Sequence, residues 1–179
     1  MKVENIYDWS THQPFIQAVM ELHSPKFVLE LGLGIHSTPI FLKYEAELLS
    51  IENNEEWLEH VKGEYPSINT LFHGIGELKL GTHLYEISEK QKSEITNYYL
   101  NLKFPELKPN LLFVDQYAAC RTLSINFLKD KFDFIIYHDC QPAGIPWYSY
   151  NLLNKDGFNS YYLKTPIPWT GLMIREEID

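Results

Sequence analysis

Residues 27–44 read FVLELGLGIHSTPIFLKY, and this stretch decides the expected fold. An apolar run that ends in Gly32 and Gly34 and leads into Thr38 and Pro39 predicts a buried strand that turns directly into a helix. Glycines at such a turn let backbone N–H groups approach a bulky ligand at the carboxyl edge of a sheet, where side chains would block the approach. The stretch therefore predicts a ligand-binding turn at the end of the first strand.

Short apolar runs alternate with segments of helical spacing along the rest of the chain. Continuous apolar runs are typical of parallel strands, because helices cover both faces of such a sheet. The predicted parallel strands are KFVLELG (26–32), AELLSIE (46–52), INTLFHG (68–74), NLLFVDQ (110–116) and FDFIIYHDC (132–140), and a closing antiparallel pair is predicted at 158–166 and 171–177. The sequence thus predicts an α/β fold, a Rossmann-like doubly wound sheet that is mostly parallel with a closing antiparallel strand pair, in a single domain over residues 1–179.

Capping signals mark the expected helices. Thr38 is predicted as the N-cap of a helix over residues 39–45, with proline in its first position. Asn53, with Glu56 three residues later, resembles a capping box at the start of the next helix. Two further helical segments are predicted at 85–102 and 146–153.

Composition excludes several classes of function. The formal charge of −9 and the pI near 5.2 argue against nucleic acid and anionic membranes as partners, because phosphate groups would be repelled. The two cysteines, Cys120 and Cys140, are too few for a disulfide scaffold and suit a reducing compartment. The N-terminal stretch lacks the apolar segment of a signal peptide, and no apolar run reaches membrane-spanning length. We therefore expect a soluble, cytoplasmic protein.

An acidic residue at the end of the second predicted strand indicates the kind of ligand. Glu52 follows Gly34 by 18 residues, a spacing that fits one helix and one strand, and a carboxylate there can accept hydrogen bonds from two ribose hydroxyls. Ser37 stands where a dinucleotide fingerprint has its third glycine, so a pyrophosphate cradle is incomplete. Glu30, inside the buried strand, would suit a cationic ligand better than an anionic one.

These residues resemble a known family. VLELGLG, from Val28 to Gly34, resembles motif I of the class I S-adenosylmethionine-dependent methyltransferases, and LLSIENN resembles the acidic segment that follows it. LLFVDQY and FDFIIYHDC are similar to the fourth and fifth strands of the small O-methyltransferase branch, in which an aspartate ends each strand. The resemblance extends from about Lys26 to Glu177. It implies that the cofactor is S-adenosylmethionine.

The resemblance also implies a set of cofactor contacts. Glu30 and the two glycines would contact the amino-acid part of the cofactor, Glu52 the ribose, and Glu77 the adenine amino group. His36 replaces the usual third glycine of the family's loop. The predicted cofactor-binding residues are Glu30, Gly32, Gly34, Ser37, Thr38, Glu52, Asn53 and Glu77. Because added side-chain branches would occupy the cofactor's approach, Gly32→Val is expected to abolish binding while leaving the fold largely intact.

Methylation of a hydroxyl requires removal of its proton by a base or by a metal ion. Asp115 ends the fourth predicted strand, and His138 and Asp139 end the fifth, so these three candidate catalytic residues are expected to converge at the sheet edge. His138 is the better base at neutral pH, although a histidine and an aspartate at a strand end can also simply close a loop. Arg121 either anchors an anionic substrate or, as we favour, pairs with a nearby carboxylate.

A metal site is not predicted. In the catechol-type branch, the aspartates that end these two strands bind a divalent cation together with a following asparagine. Cys140 stands in the asparagine's place, and sulfur is a poor ligand for magnesium or calcium.

The acceptor pocket is expected to come from residues 1–25, 75–109 and 141–152. Aromatic residues of the last segment, Trp147, Tyr148 and Tyr150, could stack on a flat substrate, although core packing would explain at least one of them equally well. The sequence favours a small-molecule O-methyltransferase that acts on a sugar, a phenol or a related metabolite, with a homodimer as an option. The alternatives are a non-catalytic S-adenosylmethionine-binding protein and a nucleotide-sugar or NAD enzyme.

Overall fold

The computed structural model describes residues 10–75, 78, 81–164 and 167–177, and within them the chain alternates helices and strands. The strands are β1 (Phe27–Leu31), β2 (Glu47–Glu52), β3 (Asn69–Phe72), β4 (Asn110–Val114), β5 (Phe134–Tyr137), β6 (Phe158–Leu163) and β7 (Thr170–Arg175). The α-helices are α1 (Gln13–His23), α2 (Thr38–Phe41), α3 (Glu55–Glu64), α4 (Glu89–Asn101), α5 (Ala118–Leu128) and α6 (Gly144–Trp147). Two short 3-10 helices lie at Lys129–Lys131 and Tyr150–Leu152.

The strands form one sheet in the order β3-β2-β1-β4-β5-β7-β6. The first five strands run parallel, whereas β7 is antiparallel to both β5 and β6. The predicted Rossmann-like sheet with a closing antiparallel pair is therefore confirmed. The strand order reverses between β1 and β4, so the carboxyl ends of these two strands open the crevice in which ligands of such sheets bind.

Side-chain alternation along the strands divides the buried residues between the two faces of the sheet. On one face, Val28 and Phe113 pack with residues of α1 and α2. On the other face, Leu29 and Leu112 pack with residues of α4 and α5. Successive side chains point to opposite faces, so Glu30 points towards the α1 and α2 face.

The starts of two helices differ from the sequence prediction. Thr38 is the first residue of α2 rather than its N-cap, because its hydroxyl group donates to the Glu30 carboxylate. The N-cap of α3 is Asn54 rather than Asn53, since Asn54 Oδ1 accepts the Trp57 N–H at 3.1 Å. The amide of Asn53 instead donates to the carbonyl of His73 at 3.0 Å.

The helices predicted at 85–102 and 146–153 are close to their predicted positions, whereas α1 and α5 are additions to the four predicted helices. Helix α4 covers most of the predicted 85–102 segment and starts at a capping box formed by Ser88 and Gln91. The segment predicted at 146–153 divides into α6 and the second 3-10 helix. Helix α1 was not predicted. Among the described residues, no helix combines the length and apolar character needed to cross a membrane.

Candidate functional site

A cavity of about 580 Å³ opens at the carboxyl ends of β1, β4 and β5. Each segment assigned to the acceptor pocket contributes to its lining, through His12, Gly81 and Trp147 respectively. Its lining comprises His12, Gly32, Leu33, Gly34, Ile35, His36, Ser37, Glu52, Asn54, Trp57, Gly81, Asp115, Gln116, Tyr117, Arg121, His138, Asp139, Trp147 and Tyr148. We call this cavity the cleft.

The turn after β1 is held by the neighbouring strand. Gly32 has a φ of +94°, and a Cβ at this position would lie 2.4 Å from the carbonyl carbon of Asp115 and 2.6 Å from the backbone nitrogen of Gln116. The glycine is therefore required by the close approach of two backbone segments. The expectation that Gly32→Val would leave the fold largely intact is wrong, because the added atoms would overlap the backbone of Asp115.

Glu30 lies beneath the turn and does not line the cleft. Its side chain is fully buried and accepts hydrogen bonds from Ser37 Oγ at 2.6 Å, Thr38 Oγ1 at 2.9 Å and Ser50 Oγ at 2.5 Å. Burial raises the pKa of Glu30 to about 7, against the lowering effect of these hydroxyl groups. The predicted contact of Glu30 with a ligand is thus corrected: the carboxylate ties α2 and β2 to the turn.

Glu52 faces the cleft from the end of β2, the position that the sequence predicted for it. Its Oε2 accepts the N–H of Leu33 at 3.0 Å, and its Oε1 accepts the N–H groups of Asn53 and Asn54, each at 2.8 Å. Burial raises the pKa of the Glu52 carboxyl group, and these three backbone donors oppose the rise. The ring nitrogen of Trp57 donates to the carbonyl of Leu33 at 2.6 Å and fixes the same wall.

The remaining predicted cofactor residues divide into two groups. Gly34 and Ser37 line the cleft together with Gly32. Thr38 and Asn53 are absent from the lining, since both side chains are occupied by the internal hydrogen bonds given above. Asn54 takes the place that was expected for Asn53. Glu77 lies outside the described residues.

Arg121 joins the ends of β4 and β5 at the opposite wall. Its Nη2 lies 2.7 Å from Asp115 Oδ1, and its Nη1 lies 2.9 Å from Asp139 Oδ2. The guanidinium group is buried, and it stacks over the ring of Tyr148 at 4.1 Å from the centroid. The favoured pairing of Arg121 with carboxylates is therefore present. The guanidinium group of Arg121 thus lies between the two aspartates whose counterparts in the catechol-type branch bind a metal ion.

Asp115, His138 and Asp139 come together as predicted. His138 Nδ1 lies 3.4 Å from Asp115 Oδ2 and 3.8 Å from Asp139 Oδ2. Burial would raise the pKa of Asp115, but Arg121 and His138 hold it well below the ordinary value. Burial would lower the pKa of His138, but Asp115 raises it above the ordinary value. Asp115 is the exposed member of the pair, with 28% of its side chain accessible, against 2% for His138.

His12 and Thr11 are site residues that sequence reasoning missed. They precede α1, and Thr11 Oγ1 lies 2.8 Å from His138 Nε2. The ring of His12 is 4.9 Å from that of His138, and burial together with His138 lowers the pKa of His12 to about 4. A signal was available, because Pro14 in a first helical turn would have placed the polar residues before it at a helix N-terminus.

Trp147 and Tyr148 line the cleft, whereas Tyr150 packs in the core and donates its hydroxyl to the carbonyl of His138 at 2.8 Å. His83 Nδ1 lies 2.9 Å from the carbonyl oxygen of Trp147, which connects the segment after β3 to α6. Cys140 is buried and absent from the lining, and burial raises its pKa to about 12. A thiol in this state is unreactive.

The two ends of the cleft differ chemically. The end formed by the first turn and Glu52 offers glycine backbone and a hydrogen-bond acceptor. The end beyond β4 and β5 offers a carboxylate, an imidazole and aromatic rings. The first end suits a polar nucleoside, and the second suits an acid–base step on a small acceptor.

Solved structures with a similar fold cover almost the whole chain. An O-methyltransferase from Bacillus cereus in complex with S-adenosylhomocysteine is 12% identical over 94% of this chain and 82% of its own, with a TM-score of 0.62. An rRNA methylase from Streptococcus thermophilus is 10% identical over 99% of this chain and 100% of its own, with a TM-score of 0.54. The N-methyltransferase NodS from Bradyrhizobium japonicum is 9% identical over 93% of this chain and 94% of its own, with a TM-score of 0.56.

The sequence matches no protein-family model and no curated protein. The structural likenesses show that the chain has the fold of class I S-adenosylmethionine-dependent methyltransferases, as the sequence resemblance implied. Because structures named for different methyl acceptors share this fold, the likeness leaves the acceptor open.

Proposed function

We propose that the chain is an S-adenosylmethionine-dependent methyltransferase that methylates a hydroxyl oxygen of a small molecule such as a sugar or a phenol. One observation carries the proposal: the first turn, Glu52 and the pair of Asp115 and His138 all line one cleft of about 580 Å³. The cleft lies where the strand order reverses, between β1 and β4. The volume of the cleft is within the range found for small-molecule sites.

The donor groups of the first end fit a nucleoside. Glu52 Oε2 accepts one backbone N–H, and a carboxylate oxygen has two lone pairs, so it retains an acceptor position for a ribose hydroxyl. Gly34 offers the cleft no side chain, which leaves room for the ligand's amino-acid part. We assign Gly32, Gly34, Ser37, Glu52 and Asn54 to the cofactor half of the cleft.

The charge of the described lining favours a cation. Three carboxylates, those of Glu52, Asp115 and Asp139, face a single guanidinium group, that of Arg121. The balance is negative with the imidazoles neutral and stays negative when His138 is protonated, so a sulfonium ion would be attracted. A pyrophosphate would be repelled, which argues against a dinucleotide.

The acceptor end would position the hydroxyl and favour loss of its proton. S-adenosylmethionine supplies a methyl group on a positively charged sulfur. The acceptor oxygen would attack the methyl carbon in line, and the C–S bond would break to release S-adenosylhomocysteine. Asp115 is the exposed carboxylate at this end and would accept a hydrogen bond from the hydroxyl. His138 lies behind Asp115 with a raised pKa, and its neutral imidazole would take up the proton that the hydroxyl releases. Trp147 and Tyr148 would hold the acceptor and exclude water.

Calorimetric titration tests the cofactor assignment. We expect S-adenosylmethionine and S-adenosylhomocysteine each to bind with one site per chain, and NAD not to bind. Heat with NAD, and none with either sulfur ligand, would refute the assignment. Transfer of label from methyl-labelled S-adenosylmethionine to a panel of sugars and phenols then tests catalysis. Binding without transfer to any of them would favour the non-catalytic alternative.

A further inference from the structure

Three potential metal ligands meet at the acceptor end of the cleft. His12, Asp115 and His138 each offer one ligand atom, and these atoms all lie within 4.8 Å of one another. They come from three elements, since His12 precedes α1 and the other two follow β4 and β5. Side-chain alternation explains the convergence. Asp115 lies two residues after Phe113, and His138 lies two residues after Ile136. Both apolar residues face α1, so the polar residues are directed to the same face.

The imidazole of His12 is almost completely buried at the acceptor end of the cleft. Its exposed fraction is 2%, and among the described residues neither ring nitrogen has a hydrogen-bond partner. The carbonyl oxygen of His36 is nearby but does not complete a hydrogen bond. Buried polar side-chain atoms are almost always hydrogen-bonded, so an imidazole in this state indicates a ligand that completes the site.

We propose that His12, Asp115 and His138 bind a divalent transition-metal ion such as Zn²⁺, Fe²⁺ or Co²⁺. Two imidazoles and one carboxylate form a donor set that these ions favour, whereas magnesium and calcium prefer oxygen ligands alone. Such a set also leaves coordination positions open for a substrate. The site differs from the aspartate pair considered in the sequence analysis, because Arg121 already bridges that pair.

Neighbouring groups orient the ligands for this task. Thr11 Oγ1 lies 2.8 Å from His138 Nε2 and fixes the ring so that Nδ1 faces Asp115. Arg121 holds Oδ1 of Asp115, which leaves Oδ2 on the side of His138. Outer partners of this kind are typical of metal ligands. Coordination requires the side chains to close to bonds of about 2.0–2.2 Å, and His138 Nδ1 to release any proton it carries to solvent.

The use of the ion rests on the proposed function. An acceptor hydroxyl that binds an open position would lose its proton more easily, because the ion lowers the pKa of a bound hydroxyl. The proton would pass to solvent, the oxygen would become the nucleophile, and the ion would keep its oxidation state. Asp115 and His138 would then act as ligands, and the ion would take over the proton step from them.

Titration of the purified chain with Co²⁺, in the absence of any cofactor, tests the site. We expect visible ligand-field bands that saturate at one ion per chain, and loss of these bands when Zn²⁺ is added. His12→Gln should weaken Co²⁺ binding more than tenfold, since it removes a direct ligand. The matched control is His60→Gln, because His60 lies on the exposed side of α3, with 55% of its side chain accessible. This control should bind as the wild type does.

Two results would overturn the inference: no saturable bands at one equivalent, or equal affinity for His12→Gln and wild type. If His12→Gln does not fold, as judged by circular dichroism, Asp115→Asn replaces it under the same criteria. The outcome is separate from that of the proposed function. A chain that binds Co²⁺ but not S-adenosylhomocysteine would support the metal site and refute the methyltransferase assignment. A chain that binds S-adenosylhomocysteine but not Co²⁺ would refute the metal site and leave the methyltransferase assignment in place.

Discussion

At Gly32, the turn after β1 lies directly against the backbone of Asp115 and Gln116. The positive φ of Gly32 and its contact with Asp115 leave no room for a side chain. Asp115 in turn belongs to the cluster with Arg121 and His138. A change at Gly32 therefore acts on both walls of the cleft at once.

Replacement of Gly32 by alanine should lower the free energy of unfolding by about 2 to 4 kcal/mol, since a methyl group would overlap backbone atoms that cannot rotate away. Chemical denaturation measures the change. Gly63→Ala is the control, because nothing lies within 4 Å of a Cβ at Gly63. That control should be neutral or stabilise the chain by up to about 1 kcal/mol. Equal stability of the two variants would contradict the steric explanation.

The pKa of Glu30 predicts a pH dependence of stability. Because burial raises it from 4.5 to about 7, the native chain binds more protons than the unfolded chain between these values. The contribution of Glu30 to stability is therefore complete below about pH 4.5 and is lost as the pH rises through 7. The free energy of unfolding of the wild type should therefore fall by up to roughly 3 kcal/mol over this interval, and Glu30→Gln should remove this fall.

Unfolding curves recorded from pH 4.5 to 8 test this expectation. As the pH rises, the free energy of unfolding of Glu30→Gln should increase relative to that of the wild type. Glu106→Gln, at an exposed position, serves as the control and should show a nearly constant difference. A constant difference for Glu30→Gln as well would contradict the burial effect.

Among the elements, helix α4 depends on its first residues because little of its surface is buried. Only Ile95 and Tyr99 of this helix are buried, and its N-terminus is closed by the reciprocal hydrogen bonds of Ser88 and Gln91. A helix with so small a buried face relies more on its capping interactions.

Ser88→Ala should therefore cost about 1 kcal/mol of the free energy of unfolding, because the backbone N–H of Gln91 loses its acceptor, Ser88 Oγ. Ser93→Ala makes the same substitution at an exposed position inside the helix and should stabilise it by a few tenths of a kcal/mol, from higher helix propensity. Denaturant titration of both variants distinguishes a capping effect from a general effect of losing a serine. If both variants lose the same free energy of unfolding, the loss of capping is not the cause.

At the scale of the whole molecule, local patterns predicted the sheet but only part of the cleft. Apolar runs and glycines located the parallel strands, and the strand ends located Glu52, Asp115 and His138. The role of Glu30 depended on the register between β1 and β2, which pairs it with Ser50, and local sequence does not specify that register. His12 immediately precedes a helix that was not predicted, although Ile16, Val19 and Met20 have helical spacing on one buried face.

A ligand that binds only the native cleft should stabilise the whole chain. At a concentration of S-adenosylhomocysteine one hundred times its dissociation constant, the gain is about 2.7 kcal/mol. For a chain of this length, the melting temperature should rise by about 5 to 10 °C. NAD at the same concentration is the control and should leave it unchanged. A melting temperature that does not respond to S-adenosylhomocysteine would contradict the cofactor assignment.

The position of β1 beside β4 has a consequence for dissection of the chain. These neighbours in the sheet are separated by more than 75 residues in sequence, so the part of the chain before β4 supplies the first turn and Glu52, and the part from β4 onwards supplies Asp115 and His138. Two fragments produced by cutting in the connection between α4 and β4 would each lack the cleft residues that the other fragment carries. Recovery of nucleoside binding on mixing the fragments would therefore report their reassembly, which makes this chain suited to a split-protein assay.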